Sequence, residues 1–276
     1  MKTLFTAFQA VLPQHLISRA VGWVAALEQP AWLKNQLIKG FMRAYDISLE
    51  SAEHPHPAQY PSFNAFFTRA LKPEARPTAA TRYLQPADGE LSQCGNIDSG
   101  SIIQAKGRWY TVEGLLAGSD AEAANFQNGC FATVYLSPSD YHRVHMPISG
   151  TLRMTRYVPG DLFAVNKITT EGVDQLFARN ERLVCLFDTA DGQMAFVFVG
   201  AVIVAGIETV WGGIESPNPG TIREQSFDED APMFAAGDEI GRFFLGSTVV
   251  MLTERADLQW AASAGDKVQV LGPLAD

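Results

Sequence analysis

Two hydrophobic patterns divide this chain. Along residues 1–50 apolar side chains recur at helical spacing, as Leu16, Ala20, Val24 and Leu27 with Trp23 and Trp32 nearby, and Pro13 and Pro30 cut the stretch into separate helices. Beyond about residue 84 the period shortens to that of strands and turns. Residues 101–105 and 108–112 flank Lys106-Gly107 as a hairpin, and 182–187 and 194–199 flank a turn at Asp191-Gly192. Further strands are predicted over 130–136, 151–158, 201–210, 240–245, 249–253 and 267–271, with short helices over 113–116, 121–125 and 173–178. The pattern predicts an α+β fold, a mostly antiparallel β core, sandwich-like or partly closed, with N-terminal amphipathic helices.

The stretch 51–61, with Pro55, Pro57 and Pro61, reads as a linker between the helices of 1–50 and a β-rich domain over 62–276. His54 and His56 within it read as exposed linker residues, and 214–238 reads as a long irregular loop. With 276 residues, 47% of them hydrophobic, the chain can bury a sizeable core without disulfides. Cys94, Cys130 and Cys185 are odd in number and form no CxxC pair, which fits a reducing compartment. The longest apolar run, 194–207, is valine-rich, is interrupted by Gly200 and Gly206, and falls short of the roughly 20 residues of a membrane-crossing helix, so it reads as buried strands. The amino end lacks the pattern of a cleavable signal and is expected to stay on the mature protein.

Charge separates the same two regions. Residues 1–45 carry Lys2, Arg19, Lys34, Lys39 and Arg43 against Glu28 alone, a net of +4, which leaves −13 for the rest of a chain whose total is −9. The acidic bulk argues against nucleic acid as a partner, and the basic end reads as a docking surface.

Three runs carry candidate chemistry. Leu245-Gly246-Ser247-Thr248 places a serine hydroxyl directly after a glycine, where no side chain blocks the preceding carbonyl, so the serine can attack its own peptide bond. Pro86-Ala87-Asp88-Gly89 sets a carboxylate before a glycine turn, and the stretch from Leu136 to Pro147 holds Asp140, His142 and His145. Asp, His and Ser are the parts of a charge relay, which is recognised by geometry and not by chain order. A metal site at His142 and His145 would need a helix that Pro138, Pro147 and the valine disfavour, and no third strong ligand lies near; no metal is expected. The G-x-S-x-G elbow of a conventional serine hydrolase is missing from the sequence. In an extended segment His142 and His145 face opposite sides, and Asp140 reads either as an orienting group or as the start of a turn after Ser137-Pro138.

Together these runs resemble phosphatidylserine decarboxylase of the bacterial and mitochondrial type, whose precursor cleaves itself at an LGST sequence. Residues 62–69 (SFNAFFTR), 104–107 (QAKG), 157–163 (YVPGDLF) and 176–182 (LFARNER) are similar to that family's pattern in the same order, so the resemblance spans nearly the whole chain. It implies that Ser247 attacks the Gly246 carbonyl, that the resulting ester breaks by elimination, and that Ser247 becomes a covalent pyruvoyl group, the enzyme's pyruvate cofactor. It further implies that this ketone takes the amine of phosphatidylserine as a Schiff base, acts as the electron sink for loss of carbon dioxide, and so yields phosphatidylethanolamine. In this resemblance His145 is the general base for Ser247, Asp88 orients and stabilises it, and His142 serves decarboxylation.

The products would be a larger chain, 1–246, and a smaller one, 247–276, held as one or more heterodimers. The implied place of work is the cytoplasmic face of the cell membrane, with a peripheral attachment in which the basic N-terminal helices meet anionic lipid. A helical apolar stripe packs by default on its own protein; a lipid substrate reverses that expectation. Lys106, Arg143, Lys167 and Arg179 are the candidate donors to the lipid phosphate. A reading from another class is a non-catalytic lipid-binding β-domain protein that never matures.

Overall fold

The computed structural model describes residues 13–105, 107–202, 206–215 and 220–276. The hairpin residue Lys106 and parts of the stretches expected as a strand over 201–210 and as a loop over 214–238 lie outside these.

Pro13 and Pro30 stand at the N-caps of helices α1 (Gln14–Ala26) and α2 (Ala31–Tyr45), where a fixed φ favours entry and a missing N–H costs nothing. A short helix α3 (Phe63–Phe67) follows, capped by the Ser62 hydroxyl on the Ala65 N–H. Four further short helices, α4 (Val112–Leu116), α5 (Asp120–Ala124), α6 (Lys167–Thr170) and α7 (Leu176–Arg179), connect strands.

The rest is β-structure: β1 (Tyr83–Leu84), β2 (Gly89–Asn96), β3 (Ser101–Ala105), β4 (Arg108–Thr111), β5 (Cys130–Leu136), β6 (Arg143–His145), β7 (Gly150–Val158), β8 (Arg182–Thr189) and β9 (Gly192–Val199). After these come β10 (Gly206–Thr209), β11 (Gly213–Ile214), β12 (Arg223–Ser226), β13 (Met233–Phe234), β14 (Glu239–Phe244), β15 (Ser247–Thr253), β16 (Lys267–Val268) and β17 (Pro273–Ala275). A nine-stranded sheet runs β12-β7-β8-β9-β15-β5-β2-β16 with β13 also on β7, and a four-stranded sheet runs β11-β10-β14-β6. All the strand pairs in them are antiparallel, as the sequence pattern predicts, and neither sheet closes into a barrel.

Strand β15 is the centre of the large sheet. All seven of its residues are buried, and it pairs with β5 on one side and β9 on the other. Most of the large core forms around it, from Phe131, Phe187, Phe196, Phe198 and Phe243 among others. A second cluster joins the helices: Ile38, Phe41, Phe63, Phe66 and Phe67 pack with Ala25, Ile47, Leu49, Ala52 and Tyr60. It runs straight through the proline-rich stretch 51–61, whose Tyr60 is buried and accepts the Lys34 ammonium on its carbonyl.

Several predicted boundaries shift for identifiable reasons. The strand expected over 249–253 begins at Ser247, because Leu136 continues the ladder from β5 that far. The strand expected over 267–271 keeps only Lys267–Val268, because the Val270 N–H turns away to Asp88. Val112 leaves the hairpin to open α4, for which the Thr111 hydroxyl is the cap. Strands β2 and β6 were not evident from the apolar pattern, since β2 carries Glu90, Gln93 and Asn96 and β6 is three residues long.

The first half of helix α1 is oriented against its own hydrophobicity, while Ala25 near its end is buried. Gln14 and Ser18 face the protein, with the Gln14 side-chain carbonyl accepting from the Leu162 N–H at 2.7 Å, while Leu16 and Trp23 are 67% and 69% exposed. The expected default, an apolar stripe packed on its own core, does not hold for Leu16, Trp23 or Val24. The basic face is intact at Arg19, Lys39 and Arg43, which are exposed, but Lys34 is turned inward.

Candidate active site

The path from β14 to β15 crosses from the small sheet to the large one within two residues. Leu245 has φ +80° and Gly246 φ +42°, consecutive left-handed conformations that reverse the chain before Ser247. At Gly246 nothing lies within 4 Å of where a Cβ would stand, so glycine serves the backbone conformation there rather than a close approach. Ser247 is fully buried and its hydroxyl has no hydrogen-bond partner. A buried hydroxyl without a partner costs on the order of 1–3 kcal/mol, which folds tolerate mainly where the group has work to do. This orphaned hydroxyl directly after a left-handed glycine fits what a self-made pyruvoyl group requires of its precursor.

His142 is also fully buried, against the Phe67 ring with centroids 4.0 Å apart. Its Nδ1 lies 2.9 Å from the Asp140 carbonyl, which can only accept, so Nδ1 carries the proton and Nε2 is left as a bare, unpartnered lone pair. Burial, with a smaller contribution from the Arg69 guanidinium, pushes the imidazole down to about 3, so the ring is neutral near pH 7. Arg69 itself is buried and donates to the Ser139 and Asp140 carbonyls, which fixes the loop that holds His142.

His145 ends β6. Its Nδ1–H donates to the Gly237 carbonyl at 2.8 Å, and its Nε2 accepts from the Tyr141 hydroxyl at 3.0 Å. Burial lowers its pKa, against the bond to Gly237 and the carboxylates of Glu239 and Asp88, which raise it. The two imidazoles share no partner, in line with an extended segment that faces them apart.

Asp88 stands just ahead of β2. Gly89 is required beside it, because a Cβ there would meet the Tyr135 carbonyl oxygen at 2.2 Å and hold β2 off β5. The Asp88 carboxylate is buried and accepts from the Val270 N–H at 2.8 Å and from both Arg76 Nε, at 3.1 Å, and Arg76 Nη2. Its charge is felt at His145, whose backbone N–H donates to the neighbouring Pro86 carbonyl. Among the described residues no hydrogen bond joins Asp88 to His145 or His145 to Ser247. A cavity of about 750 Å³ opens beside Asp88, walled by Arg76 and Thr78 from one part of the chain and by Lys267, Gln269 and Val270 from beyond residue 247.

Asp140 follows the turn reading, since its carboxylate accepts from the Ser137 N–H and hydroxyl, each at 2.7 Å. Of the candidate phosphate donors, Lys106 lies outside the described residues, Arg143 is paired with Glu239 and Arg179 with Asp161. Lys167 lines a second cavity of about 410 Å³ with Glu90, Gln104 and Tyr135, the last opposite Thr248 in the ladder. His54 and His56 are exposed, as expected of that stretch. Arg76, Tyr141 and Arg69, which contact the candidate residues directly, were not assigned a role from the sequence, although Tyr141, four residues before His145, and Arg69, the last residue of the 62–69 run, both lie in runs already singled out.

A family model described as phosphatidylserine decarboxylase matches residues 63–272, and a second one, described as PSD, matches residues 4–46. The phosphatidylserine decarboxylase proenzyme of Alcanivorax borkumensis is 51% identical, over 98% of this chain and 95% of its own length. Those of Azotobacter vinelandii and Stutzerimonas stutzeri are 53% and 52% identical, over 93% and 95% of this chain and 91% and 90% of their own lengths.

Proposed function

The chain belongs to the phosphatidylserine decarboxylase family, and from that premise we propose that it matures by cutting itself at Gly246–Ser247 and then converts phosphatidylserine to phosphatidylethanolamine. The observation that carries the reading is the buried, unpartnered Ser247 hydroxyl directly behind the left-handed Gly246.

In the first step Ser247 Oγ adds to the Gly246 carbonyl carbon, the carbon–nitrogen bond breaks, and the freed nitrogen of residue 247 takes up a proton. His145 Nε2 receives the hydroxyl proton in this reading and passes it to that nitrogen, which requires the Tyr141 hydroxyl to give up the lone pair it now occupies. Asp88 acts on the imidazole through its charge, and Arg76 and the Val270 N–H hold the carboxylate in place. Loss of the Cα proton of residue 247 then breaks the Cβ–Oγ bond, freeing a carboxylate on Gly246; water replaces the nitrogen as ammonia and leaves the pyruvoyl ketone. That ketone supplies the electron sink into which the substrate's carboxylate can be lost. His142, neutral and buried with a bare Nε2, is placed to hold or move a proton during turnover.

Both parts of the cut chain would stay together, because residues 247–276 contribute the central strand β15 together with β16 and β17. No helix among the described residues is long and apolar enough to cross a membrane. Attachment to anionic lipid on the cytoplasmic face is assigned instead to α1 and α2, whose Leu16, Trp23 and Trp32 project outward beside Arg19, Lys39 and Arg43. The assay is release of carbon dioxide from phosphatidylserine vesicles before and after hydroxylamine, which condenses with ketones. Activity should be present and then be abolished; activity that survives the reagent contradicts the pyruvoyl reading, and protein with no activity at all favours the lipid-binding alternative.

A further inference from the structure

The helices and the scissile bond meet at one side chain. Leu245 belongs by sequence to the turn between the two sheets, yet its side chain packs on the helical cluster and closes an apolar groove of about 460 Å³ lined by Val21, Val24, Ala25, Leu37, Phe41 and Phe63. Its backbone lies at φ +80°, a region that a branched side chain enters only when its surroundings force it. Both ends of the turn are fixed: Phe244 pairs with Gly206 in the small sheet, and Ser247 pairs with Leu136 in the large one.

We propose that Leu245 is a positioning residue for self-cleavage: packed against the helical cluster, it holds the Leu245-Gly246 turn in its left-handed form and so presents the Gly246 carbonyl to the Ser247 hydroxyl. The proposal rests on the reading of Gly246–Ser247 as the cleavage site and adds a role for the N-terminal helices in the chemistry itself. Three features point the same way. A leucine is conformationally unsuited to this backbone position, so packing has to hold it there. The cluster it packs on is built from the helices and the stretch that follows them, not from the two sheets. Gly246, next in the chain, has no side chain of its own to pack, so the turn is held through Leu245 and the strand pairings on either side of it. After the cut the turn has lost its attachment to Ser247, so the strained form is no longer enforced from that end.

The test follows chain separation on denaturing gels after a pulse of cell-free synthesis, for the full chain and for Leu245→Ala, Leu245→Met and Phe41→Ala. Leu245→Ala should cut about 10- to 100-fold more slowly, the range expected when a reacting group is misplaced by around an ångström. Leu245→Met, which keeps a long apolar side chain against the helices, should restore a rate close to that of the parent, and Phe41→Ala, which widens the groove without touching the turn, should slow cutting severalfold. Folding is read separately in a Ser247→Ala background, where Leu245→Ala should melt near its parent. Cutting of Leu245→Ala at the parent rate, a Leu245→Met variant as slow as the alanine, or a melting point that falls well below the parent would each overturn the positioning role. A parent chain that never separates would instead defeat the cleavage reading on which the role depends.

Discussion

Ser247→Ala should leave a full-length chain with no detectable decarboxylation. Without the hydroxyl there is no atom to attack the Gly246 carbonyl and none to become the ketone, so cleavage and turnover are lost together. The loss should not come from unfolding. Ser247 Oγ is buried and unpartnered in the precursor, and removing an unsatisfied polar atom is neutral or stabilising by about 1 kcal/mol. The purified variant is therefore expected to melt at or slightly above any trapped wild-type precursor while showing a single band on a denaturing gel. Normal lipid turnover in this variant would remove Ser247 from the mechanism.

The histidines should separate the two stages. His145→Ala is expected to slow chain separation by about 10²- to 10⁴-fold, the usual worth of a positioned general base, whereas His142→Ala should cut and then decarboxylate poorly. The pH dependence provides an independent check. A base acts in its neutral form, and burial holds the His145 pKa below its ordinary 6.5. Self-cleavage should therefore rise with pH along a limb centred below 6.5 and be flat by pH 7. Efficient cutting with His145 absent would reassign the base to the other imidazole. His142 already offers the free lone pair that His145 presently shares with Tyr141, which makes this comparison decisive.

Much of the fold was legible because its signals are local. Pro13 and Pro30 start helices where proline should, Cys130–Leu136 is a strand at the predicted residues, and the turn expected at Asp191-Gly192 falls one residue earlier, at Ala190-Asp191 between β8 and β9. What the sequence did not convey is long-range. Asp88 is tied to Val270 across the whole domain, and its partner Arg76 sits in a proline-rich run with no periodicity to mark it. The Tyr141 hydroxyl on His145 depends on a strand only three residues long. Residue identity pointed to Ser247, but nothing in the letters showed that the hydroxyl would be without a partner or that Leu245 would reach into the helices. The inward placing of Gln14 and Ser18 on α1 goes with a bond from the Leu162 N–H to the Gln14 side chain, a contact between segments far apart in the chain.

The central claim concerns one peptide bond, and the mass of the active protein under denaturing conditions tests it most directly. Two species are expected, one ending at Gly246 and one of 30 residues from 247 to 276 whose first residue carries a ketone in place of an amino group. A single full-length mass in fully active enzyme, or a small chain that begins with an ordinary serine, would contradict it.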